Sequence, residues 1–272
     1  MTGALDVYTI SAKHYDGAYA AKSDLVDAPF YFDLARESGG PVLELGCGTG
    51  RVLLPIARAG IEIHGLDQSS AMLAILREKI EREPPEVRRR IALHEADMRH
   101  ARLTQKFPLV IMPFRPFQHM HTLEDQIAAL RAAAFHLTES GRFAFDVFYP
   151  KFDSLLSGFG EERFEMEWPV EGKPGQIIRR YYRKDAIDKI RQEFSGTFIF
   201  RTFEGDRVVH EETAPLRMTW FLYPQFRALF LLAGLEPIAE FGSFSKAPLD
   251  NSSAEMIFIL RRAASHGSGA PS

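Results

Sequence analysis

The sequence predicts an α/β fold: a largely parallel sheet, an antiparallel β insertion after its fifth strand, and a helical cap at the N-terminus. Three observations carry this reading. Residues 39–150 alternate short apolar runs with helical patterns, as sheets covered by helices on both faces do. A glycine-rich bend joins the first apolar run to the first of those helices. From Lys151 to Trp220 the apolar period changes to two, the mark of half-buried strands.

Taken in order, residues 14–37 read as helical, with Tyr15, Tyr19, Phe30, Tyr31 and Phe32 placed to lie across an opening of the domain. Residues 41–45 form the first strand, 51–59 a helix and 61–66 the second strand. Met72, Ile75, Leu76 and Ile80 make a helical stripe after it. Residues 91–93 and 109–112 are two more strands. Thr122 caps the next helix with Asp125 as the acidic partner of a capping box. Leu123, Ile127, Leu130, Ala134 and Leu137 run along one face of that helix. Residues 141–147 are the fifth strand.

In the insertion, Phe164, Met166, Trp168 and Val170 alternate with Arg163, Glu165 and Glu167. The runs 176–183, 189–203 and 207–213 look alike, and Glu204-Gly205-Asp206 reads as a hairpin turn. Pro224 suits the first turn of a further helix and Gly234 its stop. Residues 235–241 and 255–260 finish the sheet as a closing pair. The expected domains are a cap over 1–38, a sheet domain over 39–150 and 222–263, and an insertion over 151–221 acting as a substrate lid. The tail, 264–272, is too poor in apolar residues to order and is expected to be disordered.

Composition narrows the function. The chain has 272 residues, 33 basic against 36 acidic, for a net charge of −3. That balance argues against a protein gripping nucleic acid mainly through charge. Glu86-Val87-Arg88-Arg89-Arg90 is a short charged loop better read as solvated. Cys47 stands alone and forms no internal disulfide, which suits a reducing compartment. No apolar run approaches the roughly 18 residues of a membrane span, and the N-terminus lacks a signal-peptide pattern. A cytoplasmic protein is expected.

The strongest chemical signal is Val42-Leu43-Glu44-Leu45-Gly46-Cys47-Gly48-Thr49-Gly50 at the first strand–helix junction. Glycines there permit positive φ and let backbone approach a ligand closely. Asp67 ends the second strand, where a carboxylate can accept both ribose hydroxyls of an adenosine. Asp97 follows the third strand, placed to accept an adenine amino group while Met98 packs on the ring. A dinucleotide-binding dehydrogenase would carry Gly-x-Gly-x-x-Gly, whereas the spacing here is Gly46-x-Gly48-x-Gly50. Its second nucleotide-binding half would also occupy the place of the antiparallel insertion.

These residues resemble the class I S-adenosylmethionine-dependent methyltransferases, over about 39–150 and 222–262. The resemblance implies a Rossmann-like seven-stranded sheet and S-adenosyl-L-methionine as cofactor. It places Glu44, Gly46, Cys47, Gly48 and Gly50 at the methionine part, Asp67 at the ribose, and Gln68, Asp97 and Met98 at the adenine. The segment from Leu109 through Phe114 and His119 to Met120 is similar to small-molecule N-methyltransferases of antibiotic amino sugars. So are Tyr15-Asp16, Asp97-Met98-Arg99 and the insertion after strand five. That closer resemblance implies Tyr15 and Phe114 at the cofactor and His119 at the active site. Arg115 departs from it, standing where a small residue is usual.

Methyl transfer to a neutral amine needs only an aimed lone pair, whereas a hydroxyl must also lose a proton. His119, with an ordinary pKa near 6.5, is the candidate base; a loop histidine bonded to a backbone carbonyl is the other reading. His119 and His121 lack the carboxylate or cysteine partners of a metal centre, and His94 and His100 are not spaced to help, so no metal is expected. Tyr19, Asp146, Tyr149, Tyr181 and Arg217 are the substrate candidates, with Arg179 and Tyr182 beside them. Phe198, Phe200, Phe203 and Trp220 suggest apolar walls. The expected activity is in-line methyl transfer to N or O of a small organic acceptor. The expected partner is that small molecule, with no nucleic acid and no membrane, and self-association into a homodimer is left open. The alternatives are a methyltransferase of RNA or protein, though the chain lacks the Asn/Asp-Pro-Pro-Tyr/Phe tetrapeptide, and a non-catalytic cofactor-binding protein.

Overall fold

A computed structural model describes residues 8–22 and 26–264. The first residues of the expected cap, 1–7, and the expected tail beyond Ala264 lie outside the described residues. The elements run α1 (Thr9–Ala20), α2 (Asp27–Ser38), β1 (Val42–Leu45), α3 (Leu53–Arg58), β2 (Ile63–Asp67), α4 (Ser70–Glu81), α5 (Pro85–Arg88), β3 (Ile91–Glu95), β4 (Phe107–Met112). A 3-10 turn (Pro116–His119) leads into α6 (Leu123–His136) and β5 (Leu137–Phe148). Then come α7 (Phe152–Leu155), β6 (Glu162–Pro169), β7 (Gln176–Asp188), β8 (Glu193–Glu204), β9 (Arg207–Thr219), α8 (Tyr223–Ala233), β10 (Leu235–Phe241) and β11 (Glu255–Arg262).

Seven strands form one sheet in the order β10-β11-β5-β4-β1-β2-β3. The five from β3 to β5 are parallel, with Val42 opposite Ile63 on one side and Leu109 on the other. The closing pair is antiparallel. Strand β1 lies at the centre of the five parallel strands and is buried throughout, so apart from Glu44 its residues are apolar on both faces rather than alternating. The order reverses beside β1, where its chain leads out to β2 while β4 lies on its other side. In open α/β sheets ligands bind at such a switch point, beyond the carboxyl ends of the strands.

Alternation within β5 separates the two cores. Phe143, Phe145 and Val147 join Phe226, Phe230 and Phe258 on the face covered by α6 and α8, whereas Ala144 joins Tyr31, Leu53 and Leu73 on the face covered by α2, α3 and α4. The helix ends follow local chemistry. Ser69 caps α4 by accepting from Met72 N at 3.2 Å, and Gly234 closes α8 at φ +70°. Thr122 caps α6 through Asp125 N at 3.1 Å. The reciprocal half of the expected capping box gives way to a stronger partner, because the Asp125 carboxylate accepts from Arg99 Nη1 at 2.6 Å.

The insertion forms a separate antiparallel sheet, β6-β7-β8-β9. Its last strand continues past the expected limit of 213 to Thr219, paired with Glu193. Helix α1 spans the space between the two sheets. Asp16 accepts from Thr49 Oγ1 at 2.7 Å and pairs with Lys79 at 2.5 Å on the parallel-sheet side. On the other side Gly17 lies so close to Trp168 that a Cβ there would come within 2.4 Å of its Nε1.

One glycine of the bend is fixed by packing as well as by conformation. Gly50 has φ +83°, and a Cβ on it would stand 2.4 Å from Cδ1 of the fully buried Leu76. Gly50→Ala is therefore expected to destabilise the fold by about 2–4 kcal/mol, measured by urea unfolding. A loss below about 0.5 kcal/mol would contradict this packing.

Candidate active site

A cavity of about 1270 Å³ opens between the carboxyl ends of the parallel strands, α1 and the inner face of the second sheet. It exceeds the usual range of roughly 300–1,000 Å³ for single-ligand pockets. Tyr8, Ser11, Tyr15, Ala18 and Tyr19 line it from one face of α1, at the three- and four-residue steps of a helix.

The floor is built at strand ends. Gly46 and Gly48, at φ +74° and +53°, line the cavity, and a Cβ on Gly48 would meet nothing within 4 Å. Bare backbone thus faces open space where a ligand can approach. Asp67 braces the bend: its Oδ2 accepts from Gly48 N and its Oδ1 from Ser69 N, both at 2.8 Å. Gln68, Asp97 and Met98 stand beside it on the wall. Arg99 grips the Asp97 carboxylate through Nε at 3.0 and 2.9 Å and bridges to Asp125. Those hydrogen bonds hold Asp97 below the usual carboxylate range. Arg99, noted in the sequence only as part of a resemblance, lines the cavity and fixes both acids.

The structure brings Tyr15, Tyr19, Phe114, His119, Tyr149 and Arg217 to the same cavity. Tyr15 and Tyr19 pack at 4.3 Å with their rings tilted by 50°, and Tyr19 meets Phe114 edge-on at 4.9 Å. Burial raises both tyrosine hydroxyls above their ordinary pKa. Arg51 lies 4.7 Å over the Phe114 ring and pairs with the buried Asp27 through two hydrogen bonds of 2.9 and 2.5 Å. His119 is bonded to the backbone of Arg217, and burial pushes its pKa down to about 4.

Five expected site residues stand elsewhere: Glu44, Cys47, Gly50, Asp146 and Tyr181 are absent from the cavity wall. Glu44 and Cys47 are buried beneath the bend, and Gly50 packs on Leu76 and Leu54. Among the described residues Glu44 Oε2 has no hydrogen-bond partner, and burial raises the carboxyl to about 8. Asp146 points away from the cavity, toward α2. Its Oδ1 accepts from Tyr31 Oη at 2.6 Å and Phe114 N at 2.8 Å. It therefore anchors the turn where Phe114 and Arg115 both hold positive φ, 66° and 70°, a conformation costly for side-chain-bearing residues.

Strand alternation moves Tyr181 off the site. Tyr181 and Arg179 face outward, against Arg201 and Glu167, while Arg180 and Tyr182 face the cavity. Arg180 is 7% exposed, pairs with Glu165 at 2.8 Å and lies 4.8 Å over Phe198. Phe198 and Phe200 are wall residues as expected. Phe203 instead lies under Arg179 at 4.5 Å, and Trp220 packs edge-on against Phe152.

The sequence and fold are similar to those of known proteins. The Methyltransferase domain family matches residues 42–141. The cypemycin N-terminal methyltransferase of a Streptomyces species is 27% identical over 224 residues, covering 82% of this chain and 84% of that protein. The chain is an S-adenosylmethionine-dependent methyltransferase. Its fold superposes on the CcbJ methyltransferase of Streptomyces caelestis with a TM-score of 0.75 and 26% identity, over 93% of this chain and 96% of that one. The dTDP-3-amino-3,4,6-trideoxy-α-D-glucopyranose N,N-dimethyltransferase of Streptomyces venezuelae is 31% identical over 140 residues, 50% of this chain and 53% of that protein. S-adenosylmethionine is the methyltransferase's cofactor, and the residues fit it. Gly48, Asp67, Asp97 and Met98 together line the cavity with open backbone, two carboxylates and a thioether.

Two predictions follow from these contacts. Arg99→Leu should weaken S-adenosylhomocysteine binding by tenfold or more in calorimetry, because Asp97 and Asp125 lose their shared cation; unchanged affinity would remove Asp97 from the binding wall. Burial pushes Asp146 up to about 7, so the folded chain keeps a proton that the unfolded chain releases near pH 4. Its contribution to stability is full below that pH and is lost as pH rises through about 7. Asp146→Asn keeps an oxygen able to accept both bonds. Its stability relative to wild type should therefore improve as pH rises from about 5 to 8 in paired urea unfolding curves. A relative loss over that window would contradict the assignment.

Proposed function

We propose that the methyltransferase acts on an amine nitrogen of a small organic acceptor held between the parallel sheet and the insertion. The observation that carries this reading is the state of His119. General-base catalysis is most effective when the base has a pKa near the working pH. Burial leaves His119 at about 4, mismatched to taking a proton from a hydroxyl. An amine lone pair needs no such base once the amine is neutral. The names of the relatives agree, since the cypemycin enzyme is an N-terminal methyltransferase and two Streptomyces relatives are amino-sugar N,N-dimethyltransferases.

S-adenosylmethionine, when bound, supplies an activated methyl group, so the work of the protein is positioning and desolvation. The bend at Gly46 and Gly48, with Asp67, Gln68, Asp97 and Met98, is the part suited to the cofactor. Tyr15, Tyr19 and Phe114 form an aromatic cluster that excludes water. The insertion serves as the substrate lid, offering Phe198 and Phe200 as apolar walls and Arg180, Tyr182 and Arg217 as polar contacts. The neutral His119 ring orients the acceptor rather than taking its proton. The cavity volume supports room for cofactor and acceptor together.

The test is product formation with matched acceptors, such as dTDP-3-amino-3,6-dideoxy-α-D-glucopyranose, a peptide with a free N-terminus, and their hydroxyl counterparts. S-adenosylhomocysteine should accumulate with an amine and not with its hydroxyl counterpart. The pH profile of kcat/KM should rise with deprotonation of the acceptor amine, and His119→Asn should keep its shape while lowering its height. A step near pH 6.5 that vanishes in His119→Asn would instead make this histidine a general base.

A further inference from the structure

A second histidine in the cavity wall has the setting of a recognition group, and the activity described so far does not use it. His14 lies on α1 and lines the cavity, yet is only 4% exposed. Its ring stacks on Phe200 at 4.1 Å with an interplanar angle of 15°, and Trp168 closes a further side at 6.0 Å. Nε2 lies 2.6 Å from Glu212 Oε1 on β9. The ring is thereby held in one plane by an aromatic face and at one nitrogen by a carboxylate.

A carboxylate accepts and does not donate when ionised, so Glu212 requires the proton on Nε2. A neutral imidazole with Nε2–H has its lone pair on Nδ1. Second partners of this kind fix tautomer and orientation of the ring they hold. The charged and titratable groups facing the ring are Glu212 and His210 on β9 and Lys13 on α1; Trp168 of β6 and Phe200 of β8 bring none. Lys13 shares Glu212 Oε1 at 2.6 Å, which draws the carboxylate's charge away from the imidazole. Burial outweighs the pull of Glu212 and lowers the pKa of His14, so the ring is neutral at pH 7.

We propose that His14, with its tautomer set by Glu212, is a specificity-determining residue whose Nδ1 accepts a hydrogen bond from an N–H or O–H group of the methyl acceptor. The proposal rests on the amine reading of the cavity for its substrate, and on His14 and Glu212 for its geometry. It also gives the α1–β9 contact a role: the strand behind the wall selects the hydrogen-bonding character of the wall itself. A substrate presenting only acceptor atoms to this point would face a lone pair and be disfavoured.

The test separates recognition from folding. In the full chain saturated with S-adenosylhomocysteine, nitrogen-15 imidazole spectra at pH 7.5 should show His14 protonated at Nε2 and bare at Nδ1. Glu212→Gln should erode that preference. His14→Gln retains a donor able to reach Glu212 but removes the Nδ1 acceptor. With the acceptor amine that turns over in the panel above, His14→Gln should raise KM for the acceptor tenfold or more. Its S-adenosylhomocysteine affinity should stay within about twofold of wild type. A His14 protonated at Nδ1, or an unchanged KM in His14→Gln, would overturn the proposal. If no amine in the panel is methylated, the amine reading fails, and the imidazole spectrum alone decides whether His14 presents a bare Nδ1.

Discussion

Asp67 ties the end of one strand to the bend that follows its neighbour. Its carboxylate accepts from Gly48 N at 2.8 Å, and Gly46 N and Cys47 N both donate to Leu66 O beside it, at 2.7 and 3.1 Å. The bend between β1 and α3 is thus held by β2 rather than by its own chain alone. Gly46 and Gly48 then have positive φ, and their backbone faces the cavity. A charge-assisted bond from a backbone amide is among the stronger neutral-to-ion contacts, and here it shapes the floor on which the remaining wall residues converge.

Around that floor the site is supported from three directions. Arg99 joins Asp97 to Asp125, coupling the end of β3 to the first turn of α6. Asp146 receives Tyr31 and the amide of Phe114, fixing a turn in which two successive side-chain-bearing residues hold positive φ. Helix α1 reaches Thr49 and Lys79 through Asp16 and the second sheet through Lys13 and His14. Apart from the exposed Lys13–Glu212 pair, each support is a buried or half-buried polar contact, where loss of one partner is more costly than the bond is favourable. The apolar cores behind them set the sheet; these contacts set the cavity.

The sheet was legible in the sequence because its signals are local. Short apolar runs with intervening helical stripes, glycines at the bend, and acids immediately after strands all lie within a few residues of one another. Asp67 and Asp97 were readable for that reason, and the structure places both on the cavity wall. Residues whose role depends on which face of a strand they take were harder. Tyr181 and Arg180 are adjacent, and only the register of β7 against β6 and β8, with its shifts near Phe164 and Lys184, decides which one points inward. Asp146 follows the same rule in β5, where its neighbours Phe145 and Val147 face the opposite core. His14 and Arg99 needed partners distant in sequence, Glu212 and Asp125, that no local pattern announces. Gly50 was read as a ligand-facing glycine, yet Leu76 fills the space beside it.

The most direct measurement is a crystal structure of the methyltransferase with S-adenosylhomocysteine bound. The account predicts the ribose hydroxyls at Asp67, the adenine beside Asp97 and Met98, and the sulfur end passing the open face of Gly48 toward Tyr15 and His119. A nucleoside seated against the second sheet, with no ribose hydroxyl at Asp67, would contradict it.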